Sequence, residues 1–260
     1  MKAVLGKYIP ESIIWTAAVL VLSSSVLIHA DSNSVKVSAG TFLRGSADGE
    51  EDERPVSRVR VSSFSMMSKE VTYAQYRRCV KAGRCTPAHY DDGKCLRWTG
   101  KTFKKAKVPR KYRKADMPVV CVTWHQAKAY CSFVGMKLPT ETQWEYAAKG
   151  GKQSRYSWGN ASPSGSRCGL KAPHSVGSFA PNGFGLFDMT GNVWEWTADY
   201  YDKNSYAESG KEDSEGSEAG FYRVLRGGGW YSGSAGLRVS NRHWFSPNFA
   251  EASVGFRCAR

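Results

Sequence analysis

Asp188 and Glu195 stand seven residues apart in the run Asp188-Met189-Thr190-Gly191-Asn192-Val193-Trp194-Glu195, with a glycine between them. A turn at that glycine would bring two carboxylates and inward-facing backbone carbonyls together, and hard oxygen donors of mixed origin are what Ca2+ takes. The competing reading is a metal-free turn with Glu195 in a salt bridge. The seven cysteines, Cys79, Cys85, Cys95, Cys121, Cys131, Cys168 and Cys258, are the second chemical feature. None forms a C-x-x-C, and the histidines stand apart from them, so zinc is not indicated. In an oxidising compartment they would pair, and the odd count leaves one over. His243, between Arg242 and Trp244, is the histidine placed for acid-base work, although a lone histidine in such company is more often packed than catalytic. Glu141 and Glu145 lie one helical turn apart, in a segment whose first task is structural. No Ser-His-Asp triad, phosphate loop or glycosidase carboxylate pair stands out.

The elements that must position these residues can be read in part. Thr72-Tyr73-Ala74-Gln75, Thr123-Trp124-His125-Gln126 and Thr140-Glu141-Thr142-Gln143 share the T-x-x-Q pattern of a capping box, and each precedes a helical run. Gly83, Gly135 and Gly150-Gly151 are their stops. Val35 to Arg44 and Arg58 to Ser65 read as strands, the latter from its alternation of charged and apolar residues. After Gly151 only short strand-like pieces remain, Tyr222 to Leu225 and Gly255 to Ala259 among them. Nine Trp and 26 Gly in 260 residues suit a loop-rich fold whose core is filled by aromatic side chains.

Residues 1–30 stand outside that fold. Lys2 and Lys7 precede an apolar run from Ile13 to Ile28, and Ala30 sits at a plausible cleavage position, as in a secretory signal peptide; the competing reading is an uncleaved membrane anchor, for which the run is short. The expectation is a periplasmic or secreted protein, residues 31–260, with no transmembrane span after signal cleavage. Losing Lys2, Lys7 and Glu11 lowers the formal charge of +14 by one. Much of the remainder lies in Lys101 to Lys114, which holds eight basic residues and no acid. That stretch reads as a solvated basic loop or as a dock for an anionic partner. Export makes nucleic acid the least expected partner. Tyr201 to Gly220 is polar and acidic and reads as a mobile surface loop.

Longer motifs run in order through the mature chain. Gly40-Thr41-Phe42-Leu43-Arg44-Gly45-Ser46 is followed by Lys69-Glu70-Val71-Thr72 and Met117-Pro118-Val119-Val120. Lys137-Leu138-Pro139-Thr140-Glu141 leads through Trp144-Glu145-Tyr146-Ala147 to Asn182-Gly183-Phe184-Gly185-Leu186-Phe187-Asp188. Gly191-Asn192-Val193-Trp194-Glu195-Trp196, Arg226-Gly227-Gly228-Gly229-Trp230 and Gly255-Phe256-Arg257-Cys258-Ala259 complete the series. In this order they resemble the formylglycine-generating enzyme (sulfatase-modifying factor) family. The resemblance implies an α+β domain with the family's irregular, loop-rich variant of the C-type-lectin fold. It implies a structural Ca2+ held by the side chains of Asp188 and Glu195 and the carbonyls of Gly191 and Val193. It also implies a disulfide between Cys131 and Cys258. Cys79 and Cys85 are close enough in sequence to pair around the end of the first helix. Cys95 with Cys121 is a further pairing, which leaves Cys168 over.

One departure from the family bears on activity. The family's oxidase holds Cu(I) with two thiols five residues apart, and soft thiolates suit that ion. Those positions fall at Ser232 and Leu237 here, with no cysteine between Cys168 and Cys258 to substitute. Copper is therefore not expected. Two readings follow. The first is an exported binding or structural module, whose cleft rim Tyr231, Arg238, Asn241, Arg242, His243 and Trp244, within Tyr231 to Phe249, meets an unknown ligand or protein. The second is a periplasmic maturation enzyme, an oxidase of a cysteine-less branch of the family.

Overall fold

The computed structural model describes residues 33–164, 170–208, 210–214, 216–217 and 219–260. The expected signal segment 1–30, Cys168 and three positions of the acidic loop (209, 215 and 218) lie outside the described residues. The chain opens with β1 (Ser34–Val37), β2 (Gly40–Arg44), β3 (Ser57–Val61) and β4 (Phe64–Met67). Each expected strand is thus divided in two. β1 pairs antiparallel with β4 and β2 with β3, so the breaks at residues 38–39 and 62–63 fall opposite one another. The result is one long hairpin that changes direction at the small residues Ser38, Ala39, Ser62 and Ser63.

Helices α1 (Tyr73–Lys81), α2 (Trp124–Phe133) and α3 (Glu141–Lys149) begin where the capping boxes place them. In each, the threonine hydroxyl accepts from the amide three residues on, and the glutamine carbonyl accepts from the cap amide. Gly83, Gly135 and Gly150 follow them at φ 67°, 71° and 58°, the left-handed region that glycine enters without strain.

The basic stretch is not wholly a loop. Leu96–Trp98 (β5) and Phe103–Lys105 (β6) form a hairpin, and Arg110–Arg113 is a 3-10 turn that buries Tyr112. Trp98 and Phe103 face each other across the ribbon, with ring centres 5.0 Å apart, and that contact holds the hairpin closed despite its charge.

The second half supplies the central sheet. Its order is β10-β7-β8-β9, from β7 (Trp194–Tyr200), β8 (Arg223–Arg226), β9 (His243–Phe245) and β10 (Val254–Gly255). A single helical turn, α4 (Ser205–Glu208), lies between β7 and β8. It corrects the expectation of a mobile acidic loop, because Tyr206 is buried and stacks under Arg44 and Arg242. The expected strand Gly255 to Ala259 is also shorter than read: only Val254–Gly255 pairs regularly, and Ala259 makes isolated bridges to Met66 and Lys137.

Three disulfides cross the molecule: Cys79–Cys85, Cys95–Cys121 and Cys131–Cys258. The last joins α2 to the C-terminal segment inside an apolar cluster containing Tyr76, Trp194, Trp196 and Phe256. No helix among the described residues is long and apolar enough to cross a membrane.

Candidate functional site

The expected calcium ligands Asp188, Gly191 and Val193 lie in the turn before β7, and Glu195 is the second residue of that strand. Asp188 and Asn192 sit at φ 54° and 58°, and Gly191 at 94°. The backbone is held in this shape by the Gly191 amide, which donates to Gly227 O at 2.8 Å. Glu195 accepts from Arg257 through both oxygens, Nη2 to Oε1 at 2.7 Å and Nε to Oε2 at 2.8 Å, and from Trp144 Nε1 at 2.8 Å. Its charge is thus matched by a fully buried guanidinium. Asp188 differs. Oδ2 accepts from the Gly177 amide, whereas Oδ1 is buried without a partner.

Glu70, which the sequence reading passed over, belongs to the same place. It is buried, one oxygen accepts from Asn192 Nδ2 at 2.9 Å, and the other has no partner. Burial, and then the negative charge of Asp188, holds its carboxyl well above the usual carboxylate range. The signal available was its place in Lys69-Glu70-Val71-Thr72, directly before a helix cap. Among the described residues no three carboxylate, imidazole or thiol groups converge to hold a metal by side chains alone. Two orphaned carboxylate oxygens in one buried region nevertheless match what a hard cation with backbone carbonyls would complete.

The second region is the glycine loop after β8. A Cβ on Gly228 would lie 2.7 Å from Gly236 O and 2.8 Å from Leu237 Cδ2, so the loop closes tightly on itself. Gly228 has φ 80°, which adds a conformational reason for glycine. Ser232 and Leu237 are both buried there, and Ser232 Oγ accepts from the Gly229 amide at 3.0 Å. All six described cysteines are in disulfides, so no described thiol is free to replace them.

The rim expectation needs correction at two residues. Arg238 is buried and grips Glu53 with two bonds, at 2.6 and 2.7 Å. Arg242 is buried against Glu141 at 2.8 and 2.9 Å and also reaches Ser205 Oγ. Neither presents its charge to a ligand, because each lies beneath the loops where a carboxylate from elsewhere in the chain waits. Glu141 and Glu145 also bind Arg226, at 2.9 and 2.8 Å, and Tyr206 donates to Glu145. Asn241 is partly buried. His243 packs on Trp194 at 5.0 Å, and burial holds its imidazole below the ordinary range. Trp244 is exposed and packs against Tyr201 and Tyr222. Tyr231 is half-buried among Trp98, Phe103 and Trp230.

Beneath Tyr231 lies Glu251, a residue absent from the sequence reading. It is wholly buried. Oε1 accepts from Ser253 Oγ at 2.7 Å, and Oε2 has no partner. No described cation pairs with it, and burial pushes its carboxyl up to about 7. Burial and then Glu251 push the Tyr231 phenol up to about 12. The Trp194 indole and the Ser253 hydroxyl are hydrogen-bond neighbours of the Tyr231 phenol, and a Cβ on Gly229 would lie 3.0 Å from the Trp194 ring and 3.1 Å from Ser253 Cβ. Glu251 and Ser253 thus border the glycine loop that carries Ser232. A cavity of about 810 Å³ lies between α2 and the end of β7, and none of its lining residues comes from 227–254.

The model of the sulfatase-modifying factor enzyme 1-like domain matches residues 27–260. The chain is 37% identical over 231 residues to a Chlamydia pneumoniae protein named serine/threonine-protein kinase pkn1, across 87% of this chain and 37% of that one. It therefore spans little more than a third of that relative's length. It is 33% identical over 276 residues to the formylglycine-generating enzyme of Streptomyces coelicolor, across 86% of this chain and 88% of that one. Among solved structures, PvdO from Pseudomonas aeruginosa superposes with a TM-score of 0.73 at 25% identity, covering 87% of this chain and 93% of that one.

Proposed function

The chain belongs to the sulfatase-modifying factor enzyme 1-like domain family, and from that premise we propose that it is an exported, calcium-stabilised binding module without copper-dependent formylglycine oxidase activity. The observation that carries this reading is the pair Ser232 and Leu237, buried in the glycine loop where the family's thiols would stand. An alcohol hydrogen-bonded to a backbone amide and an isobutyl group offer Cu(I) no soft donor. With all six described cysteines in disulfides, an oxidising compartment suits the chain, and export is the route to one.

Calcium is supported by the orphaned oxygens of Asp188 and Glu70. Asp188 and the carbonyls of Gly191 and Val193 would hold it, with Glu70 in place of the expected ligand Glu195, whose two oxygens are taken by Arg257 and Trp144. Its role would be to neutralise buried carboxylates and pin the loop ahead of β7. Metal analysis of the purified protein is expected to find calcium and no copper, and a cysteine-bearing sulfatase-motif peptide incubated with Cu(I) and O2 is expected to stay unmodified. Calcium at about a hundredfold its Kd would stabilise the fold by about 2.7 kcal/mol, an increment that Asp188→Ala removes. Formylglycine in the peptide would overturn the proposal.

One observation favours a second reading, an exported maturation oxidase of a cysteine-less branch. Glu251 is a carboxyl poised near neutrality beside Tyr231 and Ser253, as a general acid or base would be.

A further inference from the structure

The hairpin β5–β6 folds over the rim at Tyr231 and closes a half-enclosed cavity of about 480 Å³. That volume suits a small organic ligand. Trp98, Tyr112, Trp230 and Tyr231 wall it, and Arg97 and Lys171 lie among its lining residues. Trp98, Phe103 and Tyr231 form a packed triangle with ring centres 5.0, 5.8 and 5.8 Å apart, so the aromatic wall is braced from behind. The Cys95–Cys121 disulfide fixes the root of the hairpin next to Arg97.

The charges in this wall are unbalanced. Arg97 Nε is buried without a partner, and no described carboxylate forms an ion pair with that guanidinium. Its direct neighbour across the ribbon is Lys104. Two cations opposite one another on a two-stranded ribbon repel, and an anion bound beside them would relieve that repulsion. Among the described residues the buried guanidiniums of Arg226, Arg238, Arg242 and Arg257 each hold a glutamate, and that of Arg44 is met by hydroxyls, a carbonyl and the Tyr206 ring. The planar edge of an arginine is shaped for the two oxygens of a carboxylate.

We propose that this cavity binds a small planar aromatic acid, its ring against Trp98 and Tyr231 and its carboxylate at Arg97. The assignment rests on reading the Tyr231 rim as a ligand-binding face, and it adds the ligand class. Ring and anion are both required. The aromatic wall supplies area and stacking, and the unpaired guanidinium selects the charge.

The test uses 4-hydroxyphenylacetate as probe, with 4-hydroxyphenethyl alcohol as the uncharged ring and propionate as the anion without a ring. Binding to the purified protein is followed by ligand-observed NMR titration. The acid is expected to bind saturably, and both comparison compounds about tenfold or more weakly. Arg97→Gln should reduce affinity for the acid by about tenfold and leave the alcohol unchanged. Trp98→Ala should weaken both. Lys104→Gln, at a residue paired with Arg97 but not lining the cavity, should weaken the acid alone and by less, which separates a loss of charge from a loss of fold. Equal binding of acid and alcohol, no saturable binding, or an unaltered Arg97→Gln variant would overturn the assignment. Any of these would leave the copper-free reading standing, since that depends on Ser232 and Leu237. Formylglycine formation would do the reverse.

Discussion

Glu251 has a different status from the other glutamates buried in this molecule. Glu53, Glu141, Glu145 and Glu195 each face an arginine, and Glu70 shares its region with Asp188. Glu251 has only the Ser253 hydroxyl. A carboxyl buried without a cation keeps its proton, so the folded state holds that proton more tightly than the unfolded chain does. The sign follows. Its contribution to stability is complete below the unfolded value of about 4.5 and is lost as pH rises to the folded value of about 7. The loss is about 3 kcal/mol at the upper end. Asp199, pushed up to about 6 by burial and by Glu141, adds to the same decline. In urea titrations from pH 5 to 8 with calcium in excess, Glu251→Gln is expected to flatten its share of the slope. The variant should overtake the wild type by pH 8, and parallel slopes would refute the isolated-carboxyl description.

At the scale of elements, α3 carries the most consequence per residue. Its two glutamates project one turn apart into the guanidiniums of Arg226 and Arg242, which arrive from β8 and from the residue just before β9. The helix thereby locks the central sheet to the loops that follow it. Breaking a buried pair by removing one partner strands the other charge, at about 3–5 kcal/mol. Glu145→Ala should therefore cost several times more than Thr140→Ala, which removes a cap hydrogen bond from the same helix at about 1 kcal/mol. Equilibrium unfolding of the two variants checks the order. Similar losses would mean that the Arg226 network relaxes on deletion.

For the whole molecule, the disulfide from α2 to the C-terminal segment spans 127 residues, and Cys79–Cys85 spans six. In the chain-entropy account, loop length sets the gain, so losing Cys131–Cys258 should cost about 5 kcal/mol and losing Cys79–Cys85 about 2 kcal/mol. Paired Cys→Ala variants, compared by thermal unfolding, test that ranking. The long crosslink also couples the beginning and end of the domain, because the C-terminal segment bonds to β4 and to Lys137. Loosening it should therefore lower the unfolding temperature of the molecule as a whole, with no separate early transition.

The starts and stops of α1, α2 and α3 were legible in the chain because a capping box joins residues three apart and a stop glycine follows directly. The family motifs and the absent thiols were legible for a similar reason, being statements about which residue stands at a given place. β7 was not, since most of it is buried on both faces and shows no alternation. Arg238 and Arg242 read as surface residues until the fold brought in Glu53 and Glu141, from 185 and 101 positions away. Glu70 beside Asp188, Glu251 without a cation, and Arg97 lining an aromatic-walled cavity are likewise products of folding. Whether a charge is paired, stranded or solvated depends on residues that are distant in sequence, and only packing decides which of them it meets.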